Sequence, residues 1–304
     1  MRSELLSHNL SNIEICVQNG SKELFEILRD TSIGILDLRT TDCASLASEI
    51  LHTLSSLTKL YLRGTYTGRC NLKLPALLQG ITMQTCECSS EWLCSLFIAL
   101  SSLDRPVRCQ LCDVQLKSIE VYHRDKSHTR VSDMRSELLS HNLSNIEICV
   151  HTGSKELFEI FRDTSIRILE VRTAECASLA SEILHTLNKL RKLYLWGTYT
   201  GQCDLKLPAS LQCISLQKNK LSCEWLRSLF IKLFTLDHTV KCELWDVVFL
   251  SSEGNRDDES HAHVSDLRSE ILFYDVLNIK IQVRNVSEEL LEILSDSNLV
   301  PLDK

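Results

Sequence analysis

A chain of 304 residues that is 44% hydrophobic and 24% charged has the apolar material for a sizeable core and is not disordered throughout. Its 40 acidic residues outnumber 33 basic ones for a net charge of -7. That balance argues against nucleic-acid binding, which needs clustered Lys and Arg to displace counterions. No apolar run approaches the roughly 20 residues of a membrane helix, and no basic-then-apolar leader precedes the first helical pattern, so neither membrane nor export is expected. The fourteen cysteines are scattered through long apolar segments, which suits buried thiols in a reducing, cytoplasmic setting rather than a disulfide framework. The N-x-S triplets at Asn9, Asn142 and Asn285 follow from duplication and coincidence under the same expectation.

MRSELLSHNLSNIEICV at Met1 returns unchanged at Met134 and, altered, as LRSEILFYDVLNIKIQV at Leu267. Residues 1–133 align with 134–266 without a gap at about 90 positions of identity, and a partial third copy occupies 267–304. In chain order the second copy predicts a strand near Leu143 (LSNIEIC), a helix in SKELFEIFRD and a strand near Ile166 (IRILEVR). A helix follows in AECASLASEILHTLNKL, where Leu179, Ile183, Leu187 and Leu190 recur at three- and four-residue spacing. After a strand near Leu190 (LRKLYLW), GTYTGQCDLKLPAS holds Pro208 and two glycines and predicts a loop or short turn. Next come a strand from Leu211, a helix in CEWLRSLFIKL carried by Leu226, Leu229, Phe230 and Leu233, and a strand near Thr239 (TVKCELW). SSEGNRDDESHAH then predicts an exposed insertion at 251–263, matching one near 117–130, ahead of a helix in DLRSEILFY and a strand near Val276 (VLNIKIQ). Strand starts lie 21 to 37 residues apart, most within or near the leucine-rich repeat period of roughly 20–29.

The frame L-x-x-L-x-L-x-x-N/C-x-L is met by Leu211, Ile214, Leu216, Asn219 and Leu221, and by Leu78, Ile81, Met83, Cys86 and Cys88 in the first copy. Positions four and six and the helix stripes share an interior that a single unit cannot bury, so stacking is required. An Asn or Cys at position nine is expected to satisfy backbone groups where the chain leaves the strand. The expected fold is an α/β leucine-rich repeat solenoid, a horseshoe with a parallel concave sheet and mostly helical convex connections. It divides into blocks 1–133, 134–266 and 267–304 of one continuous array, the alternative being an ordinary α/β domain duplicated in tandem. Neither end carries an evident capping repeat, which suggests a piece of a longer protein or an array finished by a partner.

CASLASEILHTLNKLRKLYL resembles the helix-to-strand passage of ribonuclease-inhibitor-like leucine-rich repeats, and LQKNKLSCEWLRSLFIKL resembles the carboxyl-terminal repeats of NOD-like (NACHT) receptors. The resemblance implies sensing, restraint or partner binding by a cytosolic innate-immune receptor. A substrate-recognition module of a ubiquitin ligase is the alternative. The nucleotide loop G-x-x-x-x-G-K-[ST] is not found: Gly20-Ser21-Lys22 and Gly153-Ser154-Lys155 lack the upstream glycine.

Strand positions five and seven should point away from the core. Position five carries Glu14, Asp37, Tyr61, Thr82 and Gln110, then Glu147, Glu170, Tyr194, Ser215 and Glu243. Position seven carries Cys16, Arg39, Arg63, Gln84 and Cys112, then Cys149, Arg172, Trp196, Gln217 and Trp245. Because Trp and Tyr dominate binding hot spots, the concave surface expected to recognise a protein partner or ligand comprises Glu170, Arg172, Tyr194, Trp196, Gln217, Glu243 and Trp245, with Tyr61 and Arg63 in the first copy. Trp92 and Trp225 lie in helical phrases and are expected to pack. Catalysis, cofactor and metal are not expected. Cys109-x-x-Cys112 is half a zinc spacing with no second pair, and Trp245 replaces the latter cysteine in the second copy. His261 and His263 sit in an acidic loop, His52 and His185 on helices as solvated or capping groups, and no G-x-S-x-G or HExxH motif occurs.

Overall fold

A computed structural model of the chain describes residues 13–117, 135–250, 279–288, 290–291 and 300–301. Most of the opening phrase, the body of both polar insertions, the helix expected in DLRSEILFY, and His261 and His263 lie outside these residues. The chain divides into two compact units, Met1–Arg167 and Ile168–Lys304.

Parallel strands alternating with helices make up each unit. In the first, β1 (Glu14–Val17), β2 (Ile35–Leu38), β3 (Lys59–Tyr66), β4 (Gly80–Cys88), β5 (Val107–Cys112) and β7 (Ile146–Val150) pair in that order, while β6 (Gln115–Leu116) pairs with the end of β4. Helices α1 (Lys22–Leu28), α2 (Thr41–Ala47), α3 (Ser90–Ser101) and α4 (Lys155–Phe161) lie between and after them. In the second, β8 (Ile168–Val171), β9 (Lys192–Leu195), β11 (Cys213–Gln217), β13 (Val240–Trp245), β15 (Ile279–Arg284) and β16 (Val300–Pro301) form the main sheet. A smaller sheet orders β10 (Thr198–Tyr199), β12 (Lys220–Leu221) and β14 (Val248–Phe249), and the helices are α5 (Ala174–Leu184) and α6 (Cys223–Phe234). The expected strands of the second copy are all present, three of them followed by the expected helices, and 197–210 forms only β10 and turns. This is a parallel-sheet solenoid within each unit.

The local chemistry of this alternation repeats. Ser21, Thr40, Ser89, Ser154, Thr173 and Ser222 each precede a helix in extended backbone and accept a hydrogen bond from the N–H three residues on. An acidic residue follows in the first turn of each, from Glu23 to Glu224. Each cap contributes about 1 kcal/mol, and the carboxylate favours the positive end of the helix dipole. Asp30 (φ 63°) and Asp163 (φ 62°) end α1 and α4 in the left-handed conformation, which Asp tolerates better than most side chains.

Burial follows the repeat frame. Leu78, Ile81, Met83, Cys86 and Cys88 in one copy, and Leu211, Ile214, Leu216, Asn219 and Leu221 in the other, are all 0% exposed. At position nine the two copies differ: the Cys86 thiol donates to the Leu62 carbonyl at 3.1 Å, whereas neither amide atom of Asn219 has a hydrogen-bond partner among the described residues. The expectation that Asn219 satisfies backbone groups is therefore corrected; the cysteine does so and the asparagine does not.

The first copy joins the second inside the first unit, where β5 pairs with β7 in the register Val107↔Ile146 to Leu111↔Val150. Asn145 Nδ2 donates to the Leu103 carbonyl at 2.8 Å, tying the turn after α3 to the start of β7. Identical sequences nonetheless end differently: CASLASEIL is helical to Leu184 in α5 but leaves the α-helix after Ala47 in α2. Ser48 donates to the Ser45 carbonyl of its own helix at 2.6 Å, while its counterpart Ser181 donates to Asp204 O at 2.8 Å. A hydroxyl turned back onto its own last turn competes with the helical ladder; one spent on the following loop does not.

His238 links neighbouring repeats: Nε2 donates to the Leu211 carbonyl at 2.7 Å and Nδ1 lies 3.1 Å from Asp237 Oδ1. The Asp237 carboxylate, then the Leu211 carbonyl, hold this imidazole above its ordinary pKa. A raised folded-state value adds stability that is full below the unfolded pKa and lost as pH rises through the folded one. The margin by which the wild type melts above His238→Gln should therefore be larger at about pH 6 than at about pH 8, and small for a partly exposed ring. Thermal scans at both pH values check this.

Candidate interaction surface

Side chains alternate between two faces along each strand, which defines an outward face in each unit: in β9, Leu193 and Leu195 are buried while Tyr194 is half-buried and Lys192 exposed, whereas the outward Glu170, Ser215 and Glu243 of the neighbouring strands are at most 8% exposed. In the second unit, Glu170, Tyr194, Ser215, Glu243 and Gln282 form one outward row through successive pairings. Trp196, Gln217, Trp245 and Arg284 lie two residues beyond in the same strands or at their ends, with Gln217↔Trp245 and Trp245↔Arg284 in register.

Four expected residues converge. Glu170, only 4% exposed, forms an ion pair with Arg172. The Arg172 guanidinium stands over the Trp196 ring at 4.0 Å from its centroid. Tyr194 and Trp196 place their centroids 6.3 Å apart at 31°. The carboxylate fixes the guanidinium, the guanidinium lies on the indole, and an ordered aromatic surface results. Further along, Gln217 Nε2 donates to Ser215 Oγ at 3.1 Å, and Glu243 pairs with Lys241 at 2.5 Å. The Trp245 indole N–H has no acceptor among the described residues.

Tyr61 and Arg63 lie in the first unit beside the buried Asp37 (3% exposed). Arg39 Nε donates to Asp37 Oδ2 at 3.1 Å, Arg63 Nε lies 3.8 Å from Oδ1, and the Cys16 thiol donates to Oδ2 at 3.6 Å. Thus Asp37/Arg39 and Glu170/Arg172, equivalent across the duplication, form the same ion pair, and the aromatic ring over the arginine belongs to the second copy alone.

One strand per copy sits two residues out of the expected frame. Cys16 pairs with Asp37, and Cys149 with Gln110, so the cysteines occupy position five, whereas Glu14 and Glu147 lie at position three opposite Ile35 and Arg108. Ile146, Ile148 and Val150 alternate over five residues, all at most 1% exposed. Such a run fits either of two registers until a neighbouring strand selects one. The frame also overlooked the position-three row Lys192, Cys213, Lys241 and Lys280, which is continuous by pairing; carrying the two-residue alternation one step backwards finds it.

The remaining side chains of interest are structural. Trp92 and Trp225 are 3% exposed and stack on Tyr66 and Tyr199 at 4.4 and 4.5 Å. His52 and His185 are exposed. All fourteen cysteines are free thiols, ten of them buried. Burial pushes Cys70, Cys203 and Cys213 up to about 11 and Cys86, Cys88 and Cys94 up to about 12, which keeps these thiols protonated and weakly nucleophilic at neutral pH. Cys109 lies in the buried row and Cys112, three residues on, on the outward face, so the pair does not converge. Among the described residues no three His, Cys, Asp or Glu side chains gather to hold a metal ion, and no helix is long and apolar enough to cross a membrane. The chain matches no family model and no curated protein.

Proposed function

We propose that this chain is a non-catalytic recognition module of leucine-rich repeat type, binding a protein partner on the outward, concave face of its sheet in the cytoplasm. The Glu170–Arg172–Trp196–Tyr194 cluster carries the reading: an arginine anchored by a buried carboxylate and laid against a half-exposed aromatic pair is the composition of a binding hot spot. Unreacted thiols throughout both units fit a reducing compartment. The strand-and-helix alternation supports the resemblance to the carboxyl-terminal repeats of NOD-like receptors, and the sensor or interaction region of such a receptor is the role we assign.

Site-specific photo-crosslinking tests this. A photoreactive phenylalanine at position 196 should give a discrete, saturable adduct with a protein partner, while the same residue at helix position 231, where Ile231 is 42% exposed, should not. Adducts at 231 with none at 196 would move recognition to the helical side.

A further inference from the structure

The outward face of the second unit is cationic on a chain whose net charge is -7. Its charged residues are Arg172, Lys192, Lys241, Lys280 and Arg284 against Glu170 and Glu243, and both carboxylates are buried and already paired, with Arg172 and Lys241. Lys192, Lys280 and Arg284 are exposed and have no carboxylate partner among the described residues. At the strand ends Lys218 follows Gln217 and Asp246 follows Trp245, one charge of each sign.

Duplication supplies an internal control. The position held by Glu14 and Glu147 in the first two copies becomes Lys280 in the third, and the one held by Gln18 and His151 becomes Arg284. Over the same face Arg63 and Cys112 become Trp196 and Trp245. The buried rows keep their apolar character, so the exchange concerns the surface and not the core. The lysines line one side of the aromatic residues: Lys192 and Lys241 both register with Cys213, and Lys241 with Lys280.

We propose that this face takes an extended, carboxylate-rich peptide segment of a protein partner, its acidic side chains on Lys192, Lys280 and Arg284 and an apolar side chain against Trp196 and Trp245. This rests on the recognition function above and names the partner's chemistry. The unpaired cations supply charge complementarity, which governs partner choice and association rate. A nucleic-acid strand shares the negative charge, but the chain's acidic surplus opposes so dense a polyanion.

The test selects random dodecapeptides by display on the folded full-length chain. Enriched sequences should carry Asp or Glu on either side of an apolar residue. The best of them should bind Lys192→Glu/Lys280→Glu at least about tenfold more weakly, with circular dichroism unchanged, and should lose affinity as salt rises. Enrichment of neutral or basic peptides, no enrichment, or binders indifferent to the charge reversal would overturn the proposal, as would tighter binding of an oligothymidylate probe to the same face. The position-196 adduct separates the two levels of argument. If it forms while the acidic peptides fail, recognition by this face stands and the partner's assigned chemistry falls; if the adduct itself fails, so does the recognition function.

Discussion

Trp225→Ala should destabilise the second unit by about 3–5 kcal/mol, the range for removing a large buried aromatic. Trp225 is 3% exposed, opens α6 beside the Ser222 cap, and stacks on Tyr199 at 4.5 Å and 29°. Tyr199 in turn donates its hydroxyl to the Trp196 carbonyl at 3.1 Å, so the buried stack also steadies the backbone under the outward indole. Trp92→Ala should cost a similar amount, since Trp92 stacks on Tyr66 at 4.4 Å and Tyr66 donates to the Arg63 carbonyl at 3.0 Å. Urea unfolding of the full chain followed by circular dichroism reads both. A loss below about 1 kcal/mol in either variant would mean that the helices do not pack on the strand ends as described.

Gly197→Ala should cost about 3 kcal/mol, combining backbone strain with overpacking. Gly197 has φ +132°, and a Cβ there would lie 3.0 Å from the N of Ala174, the first residue of α5. Gly64, its counterpart, has φ +116°, and its Cβ would meet Thr41 Oγ1 at 2.7 Å. That hydroxyl donates to the Thr65 carbonyl at 2.7 Å and accepts from Thr65 N–H at 2.9 Å, so Gly64→Ala should break a clamp between repeats as well. Gly201 gives the contrast: φ is +67° with nothing within 4 Å. Asn adopts that region readily, so Gly201→Asn should leave the melting temperature nearly unchanged while Gly197→Ala lowers it by several degrees in the same thermal scan.

Much of the fold was legible because burial imposes a period. Leu211, Ile214, Leu216 and Leu221 could be assigned to the core from spacing alone, and that Trp92 and Trp225 pack followed from helical phase, though not their stacking on Tyr66 and Tyr199. Register was not legible where three apolar residues alternate, as in Ile146, Ile148 and Val150; only the hydrogen bonds of β5 select between the two frames. The different ends of α2 and α5 could not be read either, since the deciding serines are identical and differ only in which carbonyl they meet. At the candidate surface, Trp196 and Trp245 stood out as departures between copies. That Arg172 lies on Trp196 is a side-chain arrangement no spacing encodes, and the lysine row became evident only once strand pairing placed Lys192, Lys241 and Lys280 side by side.

The central claim is that duplication preserved a scaffold and changed its outward face into a recognition surface. Returning that face to its first-copy state tests this most directly: a Trp196→Arg/Trp245→Cys variant, compared with wild type for affinity toward the partner identified through the position-196 adduct. The expected result is a loss of at least about 30-fold, the equivalent of roughly 2 kcal/mol at a hot spot, with an unchanged melting temperature. Unchanged affinity in a folded variant would contradict the account.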